Sequence, residues 1–138
     1  MTSLQIRLID IAKALKPQKV TGKAFHVSIA CKKGRIIKIG WNDYRLHHNY
    51  SKFGFYSNYK SLPGIYRPSR HSECHLATKI AEESWEDYDV YNIRINNNNI
   101  PAMSAPCLNC LKSIVIPLSP KHLYYTNNNN QFEELLFN

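Results

Sequence analysis

Two short segments, far apart in the chain, carry side chains that metal ions prefer. His71-Ser72-Glu73 supplies an imidazole and a carboxylate, and Cys107-Leu108-Asn109-Cys110 supplies two thiols. One His and two Cys are an established ligand set for catalytic zinc, which takes three protein ligands and leaves a fourth position open. If these side chains share one ion, the fold must bring the two segments together. This requirement constrains the fold more than any other feature of the sequence.

Both segments are predicted to open a helix. Pro106 suits a first helical turn because its missing N–H would have no partner there, and residues 72–84 follow His71 as a good helical stretch. Cys107 and Cys110 are three residues apart, which puts both sulfurs on one face of the helix. The positive end of the helix dipole should also favour the thiolate, the form that binds metal. We therefore expect two helix starts to face each other across one zinc ion.

Glu73 distinguishes this ligand set from a structural zinc site. A structural zinc normally has four protein ligands and no need of a nearby carboxylate, whereas a carboxylate beside zinc-activated water can move its proton to a leaving amine. We predict that Glu73 binds no metal and is the catalytic acid and base. A C-x-x-C pair could instead be a redox pair or half of a structural site. Cys31 and Cys74 form no second C-x-x-C, and we expect them, like His75, to be packing residues.

The hydrophobic pattern predicts an α/β fold in three layers, a central mixed sheet flanked by helices. Thr2 and Gln5 have capping-box spacing and begin the first helix, which Pro17 is expected to end. The other predicted helices are 72–84 and 107–116, the latter stopped by Pro117. The predicted strands are 24–31, 35–41, 88–95 and 122–126, and the tail is expected to add a strand or a short helix.

Three short stretches are predicted to be turns. Lys32-Lys33-Gly34 reads as a tight turn between the first two strands. The asparagine runs 96–99 and 127–130 read as solvated turns, because asparagine hydrogen-bonds nearby backbone and tolerates left-handed conformations. These turns divide the strands from the elements that follow them.

Length and composition indicate a small single-domain enzyme. The 138 residues suffice for one domain with its own core, in which 44–70 is predicted to be a long insertion loop. No stretch is long and apolar enough to span a membrane, and the N-terminus lacks the apolar core of a signal peptide. Zinc thiolates fit reducing surroundings, so the expected location is the cytoplasm. A net charge of +8 indicates anionic partners.

A further segment joins these motifs into a family resemblance. Residues 34–42 read Gly-Arg-Ile-Ile-Lys-Ile-Gly-Trp-Asn and precede the H-x-E and P-C-x-x-C motifs. The chain resembles the zinc-dependent cytidine and deoxycytidylate deaminases, since H-x-E…P-C-x-x-C is the signature of zinc nucleobase deaminases. The resemblance spans most of residues 24–126. One departure is Ser72, where relatives commonly have alanine.

The resemblance implies a cytidine deaminase-like fold, Zn²⁺ on the three ligands identified above, and Glu73 as the proton carrier. It also implies substrate contacts. Asn42 would hydrogen-bond the sugar, although asparagine also favours a strand end for its own sake. The backbone around Ser104 and Ala105 would meet the exocyclic amine of the base. Because relatives commonly assemble through the helices that flank the zinc, a homo-oligomer is expected.

Substrate choice is expected to lie in the segment 44–70. It is rich in Tyr, Phe, Lys and Arg and contains no acidic residue. Aromatic rings with interleaved cations bind single-stranded nucleic acid, and the same chemistry would hold the base and phosphate of one nucleotide, with Arg45 and Arg70 as candidate contacts. The segment could also be scaffold or an oligomer contact. An additional metal site at His47 and His48 is another interpretation.

Three hypotheses about function follow. The first is a hydrolytic deaminase of a free cytosine nucleoside or nucleotide, preferably deoxycytidylate. The second uses the same mechanism on a cytosine or adenine in DNA or RNA, which requires a flipped or single-stranded base. The third is a non-catalytic zinc-bound module that binds nucleic acid or a partner. An intact Glu73 argues against the third, because a binding module needs no proton carrier.

Overall fold

The computed structural model describes residues 1–19, 25–42, 71–80 and 84–136. These residues form an open, mixed sheet of six strands with three helices, which confirms the α/β class. The helices are α1 (Ser3–Lys19), α2 (Ser72–Ile80) and α3 (residues 108–118, formed by Leu108–Cys110, the π-helical turn Leu111–Val115 and Ile116–Leu118). The strands are β1 (Phe25–Lys32), β2 (Arg35–Trp41), β3 (Asp89–Ile95), β4 (Pro101–Ala102), β5 (His122–Thr126) and β6 (Phe132–Glu134).

The strand order is β2-β1-β3-β5-β6, with β4 paired to the far end of β3. Only the β3–β5 pair is parallel among the described strands. A parallel pair needs a crossover connection, and here the chain between the two strands includes α3. No helix in the described ranges is both long and apolar enough to cross a membrane.

Alternate residues of the central strands face two separate cores, because successive side chains of a strand point to opposite faces. On one face, Val27 of β1 packs with Leu8 and Ala12 of α1. On the other face, Ala30 of β1 and Val90 of β3 pack with α2 and α3. The face that carries α2 and α3 is therefore the one on which the zinc-motif residues can meet.

The capping box predicted for α1 is present, but the predicted end of the helix is wrong. The backbone N–H of Thr2 donates to Gln5 Oε1 at 3.0 Å, and the N–H of Gln5 donates to Thr2 Oγ1 at 3.1 Å. Pro17 lies inside α1, which continues to Lys19. Proline lacks one N–H and clashes with the carbonyl four residues earlier, but in the last turn few helical bonds remain to be lost.

The other two helices also differ from their predicted bounds. Helix α2 spans Ser72–Ile80, and Ser84, the last residue of the predicted helix, is not helical. Helix α3 passes Pro117 and ends at Leu118, where Ser119 takes a left-handed conformation with φ of 56°. The ladder is already shifted before Pro117, since the N–H of Ile116 donates to the carbonyl of Leu111 in the π-helical turn. A proline there removes less of the helix than it would in a regular ladder.

The predicted turns are confirmed. Lys33 and Gly34 both have positive φ, 52° and 76°, as the central residues of a type I′ hairpin turn require. In the two asparagine runs, Asn96 Oδ1 accepts from the N–H groups of residues 98 and 100, and Asn127 Oδ1 accepts from those of residues 129 and 131. The first run folds the chain back so that β4 pairs with β3, a two-residue strand that the sequence did not predict. The tail forms a strand, β6.

Candidate metal centre

The fold brings the three predicted ligands together. The ligand atoms of His71, Cys107 and Cys110 all lie within 4.8 Å of one another, so this group could hold a metal ion. His71 Nδ1 is 3.6 Å from the sulfur of Cys107 and 3.3 Å from that of Cys110. Zinc bonds of ~2.0 Å to nitrogen and ~2.3 Å to sulfur, at a tetrahedral angle, would separate the two atoms by about 3.5 Å. The donor set and its spacing therefore fit zinc with one position left for water.

Both ligand segments stand at helix starts, as predicted. His71 directly precedes α2, and its carbonyl accepts the N–H of His75 at 3.0 Å. Cys107 is the N-cap of α3, where its thiol accepts the N–H of Cys110 at 3.4 Å. A capping side chain is held by the backbone of the turn that it caps. The second ligand segment is thus ordered by the helix that carries it.

Close packing of α2 on β2 sets the position of the first ligand segment. A Cβ atom at Gly40 would lie 2.4 Å from the backbone nitrogen of Leu76 and 2.7 Å from the carbonyl oxygen of Ser72. Buried His75 accepts the backbone N–H of Trp41 at its Nδ1, 3.0 Å away. His75 is therefore a packing residue as predicted, and so are Cys31 and Cys74, both buried in the cores.

Glu73 is buried beside the ligands with both carboxyl oxygens in contact with neighbours. Oε1 accepts the hydroxyl of Ser72 at 2.9 Å, and Oε2 accepts the side-chain amide of Asn92 at 3.3 Å. Burial raises the pKa of Glu73 above its ordinary value, against the opposing effect of His71. A carboxyl in such surroundings favours its protonated form and can therefore release as well as accept a proton.

The contacts around Glu73 form a closed ring of four side chains. Ser28 Oγ lies 2.8 Å from Ser72 Oγ and 2.7 Å from Asn92 Oδ1. Three oxygen–oxygen contacts thus join Asn92 Oδ1, the two serine hydroxyls and Glu73 Oε1, but two hydroxyls carry only two hydrogens. With Ser72 donating to Glu73 Oε1, the single hydroxyl hydrogen of Ser28 is shared between Ser72 Oγ and Asn92 Oδ1. The raised pKa of Glu73 comes from burial and not from the ring, because the hydrogen bond from Ser72 lowers this pKa.

The thiol of Cys110 does not become a thiolate through the helix start alone. The hydrogen bond with Cys107 and burial raise the pKa of Cys110 well above its usual range. Burial lowers the pKa of His71, but its hydrogen bond to Cys107 and the nearby Glu73 raise it to a net value above the ordinary one. At Cys110 the preference for thiolate that the helix dipole predicts is thus outweighed when no cation is present. A metal must therefore displace the proton of this thiol to bind.

A cavity of about 190 Å³ lies over the ligands. Its lining residues are His26, Val27, Asn42, His71, Ser72, Glu73, Asn92, Ile93, Ser104, Ala105 and Cys107. Three of the predicted substrate contacts, Asn42, Ser104 and Ala105, are therefore at the cavity wall. Arg45 and Arg70, with the whole predicted insertion 44–70 and its histidines, lie outside the described residues.

Local hydrogen bonds hold two of these wall residues. Asn42 Oδ1 accepts the backbone N–H of His26 at 2.9 Å, and the N–H of Asn42 donates to the carbonyl of His26 at 3.1 Å. The hydroxyl of Ser104 donates to the carbonyl of Asn92 at 2.7 Å and accepts the N–H of Thr126 at 2.8 Å. Both strand-end segments are thus anchored to the sheet from beneath the cavity.

Two polar residues of the cavity wall, His26 and Asn92, were not predicted from the sequence, and neither was Ser28, which lies behind the wall. Their signal is faint but present, because each is a polar residue on the site-facing side of an otherwise apolar strand. Burial, followed by the charge of Arg94, lowers the pKa of His26 to about 4. His26 is therefore neutral near pH 7, and the described part of the cavity wall contains no Lys or Arg.

A scan against protein-family models finds no match, and a search of curated proteins finds no relative. The resemblance to pyrimidine deaminases accordingly stays a prediction that rests on the motif residues and their geometry.

We predict one zinc ion per chain in the wild type and loss of the tight site in Cys110→Ala. Side chains that hydrogen-bond to a metal ligand typically contribute 10- to 100-fold to metal affinity. Loss of the ligand itself should therefore lower the affinity by more than about 100-fold. Because the raised pKa of the Cys110 thiol keeps it protonated without metal, binding should release a proton and tighten as pH rises. Zinc titration with a competing chelator at two pH values measures both. Cys31→Ala, a buried cysteine on the opposite face of the sheet, is the matched control; equal zinc affinity in the two variants would refute the assignment.

The raised pKa of Glu73 predicts a pH effect on the stability of the metal-free protein. The folded state binds this proton more tightly than the unfolded chain does. The stabilisation that comes from this proton is therefore complete below the ordinary carboxyl pKa and is lost as pH rises through the pKa of the folded state. Glu73→Gln, which keeps a neutral hydrogen-bonding group, should therefore be more stable than the wild type at neutral pH. Urea unfolding of both zinc-free proteins across pH measures the difference, and parallel profiles would contradict the prediction.

Proposed function

We propose that this chain is a zinc-dependent hydrolytic deaminase that converts a cytosine base to uracil and releases ammonia. The observation that carries the proposal is that His71, Cys107 and Glu73 line one cavity, with Cys110 completing the ligand group. Two candidate metal ligands at the start of α3 and one just before α2 thus lie beside the buried carboxyl of Glu73. That carboxyl is hydrogen-bonded to other side chains. The cytidine deaminase-like arrangement of a sheet with helices on both faces belongs to the same proposal.

When bound, zinc supplies Lewis-acid chemistry that makes water a nucleophile near neutral pH. Glu73 would accept the proton of that water, pass it to the ring nitrogen, and assist the departure of ammonia. Both directions of transfer need a carboxyl whose pKa is close to the working pH. Burial of Glu73 shifts its pKa in that direction, and the hydrogen bond from Ser72 opposes the shift. Overall, water adds to the base and ammonia leaves, so no further reactant is required.

The cavity wall supports a pyrimidine-sized ligand held mainly by hydrogen bonds. The backbone at Ser104 and Ala105 would meet the exocyclic amine, and Asn42 would contact the sugar. Asn42 Oδ1 accepts the backbone N–H of His26 at 2.9 Å, which holds this side chain at the cavity wall.

A free nucleotide such as deoxycytidylate is the preferred substrate. The cavity is small, at about 190 Å³, and its described wall lacks the Lys and Arg that track a nucleic-acid backbone. The +8 net charge still attracts phosphates to the protein. The phosphate contact is therefore assigned to Arg45 and Arg70 of the 44–70 segment.

A non-catalytic zinc module fits the site less well. A buried carboxyl is unfavourable unless its interactions compensate it, and Glu73 is 6% exposed. A module that needs zinc only for stability would gain from an uncharged residue at this position. Use of the carboxyl as a proton carrier accounts for its retention in the site.

A substrate panel tests the proposal. Zinc-loaded protein is incubated with cytidine, deoxycytidine, their mono- and triphosphates, adenosine compounds and single-stranded oligonucleotides, and the deaminated products are measured. We expect turnover of the cytosine monomers, fastest with the monophosphate. Turnover of oligonucleotides alone would establish the nucleic-acid alternative, and no turnover of any compound would favour the non-catalytic module.

A further inference from the structure

Two polar side chains lie opposite each other in the middle of the sheet, where apolar residues are expected. Ser28 of β1 is the direct cross-strand partner of Asn92 of β3, and both side chains are almost fully buried. Their neighbours on the same face include the apolar Ala30 and Val90. Neither residue is a metal ligand, and Ser28 does not reach the cavity wall. Buried polar groups in a sheet core require a compensating role.

The contacts of the pair lead to Glu73 from two directions. The hydroxyl of Ser28 is 2.8 Å from that of Ser72, which contacts Glu73 Oε1 at 2.9 Å. On the other side, Ser28 is 2.7 Å from Asn92 Oδ1, and the amide of Asn92 reaches Glu73 Oε2 at 3.3 Å. One strand residue therefore joins the two groups that hold the two carboxyl oxygens. Removing it leaves both of those groups without their shared partner.

We propose that Ser28 is a positioning residue for the deamination: through Ser72 and Asn92 it fixes the carboxyl plane of Glu73 relative to the ligand group. This inference rests on the proposed function for its catalytic consequence. A carboxylate bonded at only one oxygen can rotate about its last side-chain bond, whereas one bonded at both cannot. Small displacements of a reacting group are expensive in rate, by roughly 100-fold for 1 Å. Placement of Glu73 thus depends on a residue in the sheet as well as on the helix that carries it.

The test compares Ser28→Ala with Ser28→Thr, which keeps a hydroxyl. In crystal structures of the zinc-loaded proteins, we expect the Glu73 carboxyl to be rotated in Ser28→Ala and in its original plane in Ser28→Thr. With the preferred substrate, kcat per bound zinc should fall roughly 10- to 100-fold in Ser28→Ala, while KM and zinc content stay unchanged. A merely structural role would lower the melting temperature and zinc retention without changing kcat per zinc.

Thr78→Ala is the control on the same helix, because its hydroxyl donates to the carbonyl of His75 at 2.7 Å and does not join the ring. This variant should keep wild-type kcat and the wild-type carboxyl plane. An unmoved carboxyl in Ser28→Ala, or an unchanged kcat in an active enzyme, overturns the inference. An inactive wild type refutes the proposed function instead, and the carboxyl plane in Ser28→Ala then still decides whether Ser28 positions Glu73. If Ser28→Ala does not fold, the same comparison is made with Ser28→Cys, which keeps the size of the side chain but has only a weak S–H donor.

Discussion

Replacing Glu73 with glutamine is expected to reduce kcat by roughly 10²- to 10⁴-fold, the contribution typical of general acid–base catalysis, while zinc stays bound. Glutamine has nearly the same shape and can donate to Ser72 while accepting from Asn92, so the ring of side chains is kept. It cannot accept the proton of water at neutral pH. The variant therefore separates loss of proton transfer from loss of structure.

Three measurements define this result: zinc content by mass spectrometry, melting temperature, and deamination rate. Glu86→Gln removes the same charge at an exposed position away from the site and should leave all three unchanged. Zinc lost from Glu73→Gln would mean that the carboxyl contributes to metal binding. Normal deamination with zinc present would exclude the proposed mechanism altogether.

A methyl group at Gly40 is expected to have the largest effect on folding. In Gly40→Ala the new Cβ would lie 2.4 Å from Leu76 N, 2.9 Å from Leu76 Cα and 2.7 Å from the carbonyl oxygen of Ser72. All of these are backbone atoms of α2, so no side chain can rotate to make room. We expect a loss of about 3 kcal/mol of unfolding free energy, the upper part of the usual range for overpacking. Because α2 carries Glu73 and follows His71, zinc affinity should fall as well.

Gly34→Ala is the matched control, since a Cβ there meets nothing within 4 Å. Its cost should be limited to the positive φ of 76°, about 1 kcal/mol, with zinc affinity unaffected. Urea unfolding and zinc titration of both variants check these expectations. Equal destabilisation by the two substitutions would show that contact between β2 and α2 is not what Gly40 provides.

Local patterns in the sequence were reliable where the physical cause is local. The capping box at Thr2 and Gln5, the turn at Lys33 and Gly34, and the asparagine turns depend on a few neighbouring residues, and all are present. The helix ends predicted at Pro17 and Pro117 were wrong, because a helix tolerates proline where few ladder bonds remain to be lost. Strand β4 was missed because two residues carry no periodic pattern. It exists only because a turn returns the chain to the end of β3.

The sequence by itself determined the ligand types, their placement at helix starts and the presence of a carboxyl beside them, because spacing within one segment decides these properties. Only the tertiary structure decided which other residues join the site. Ser28 meets Asn92 because of the register between β1 and β3, and Gly40 permits α2 to lie against β2. Register and close approach depend on contacts between distant segments, and no local pattern encodes the partner. The candidate metal ligands were therefore readable along the chain, whereas the surroundings that set the position and pKa of Glu73 were not.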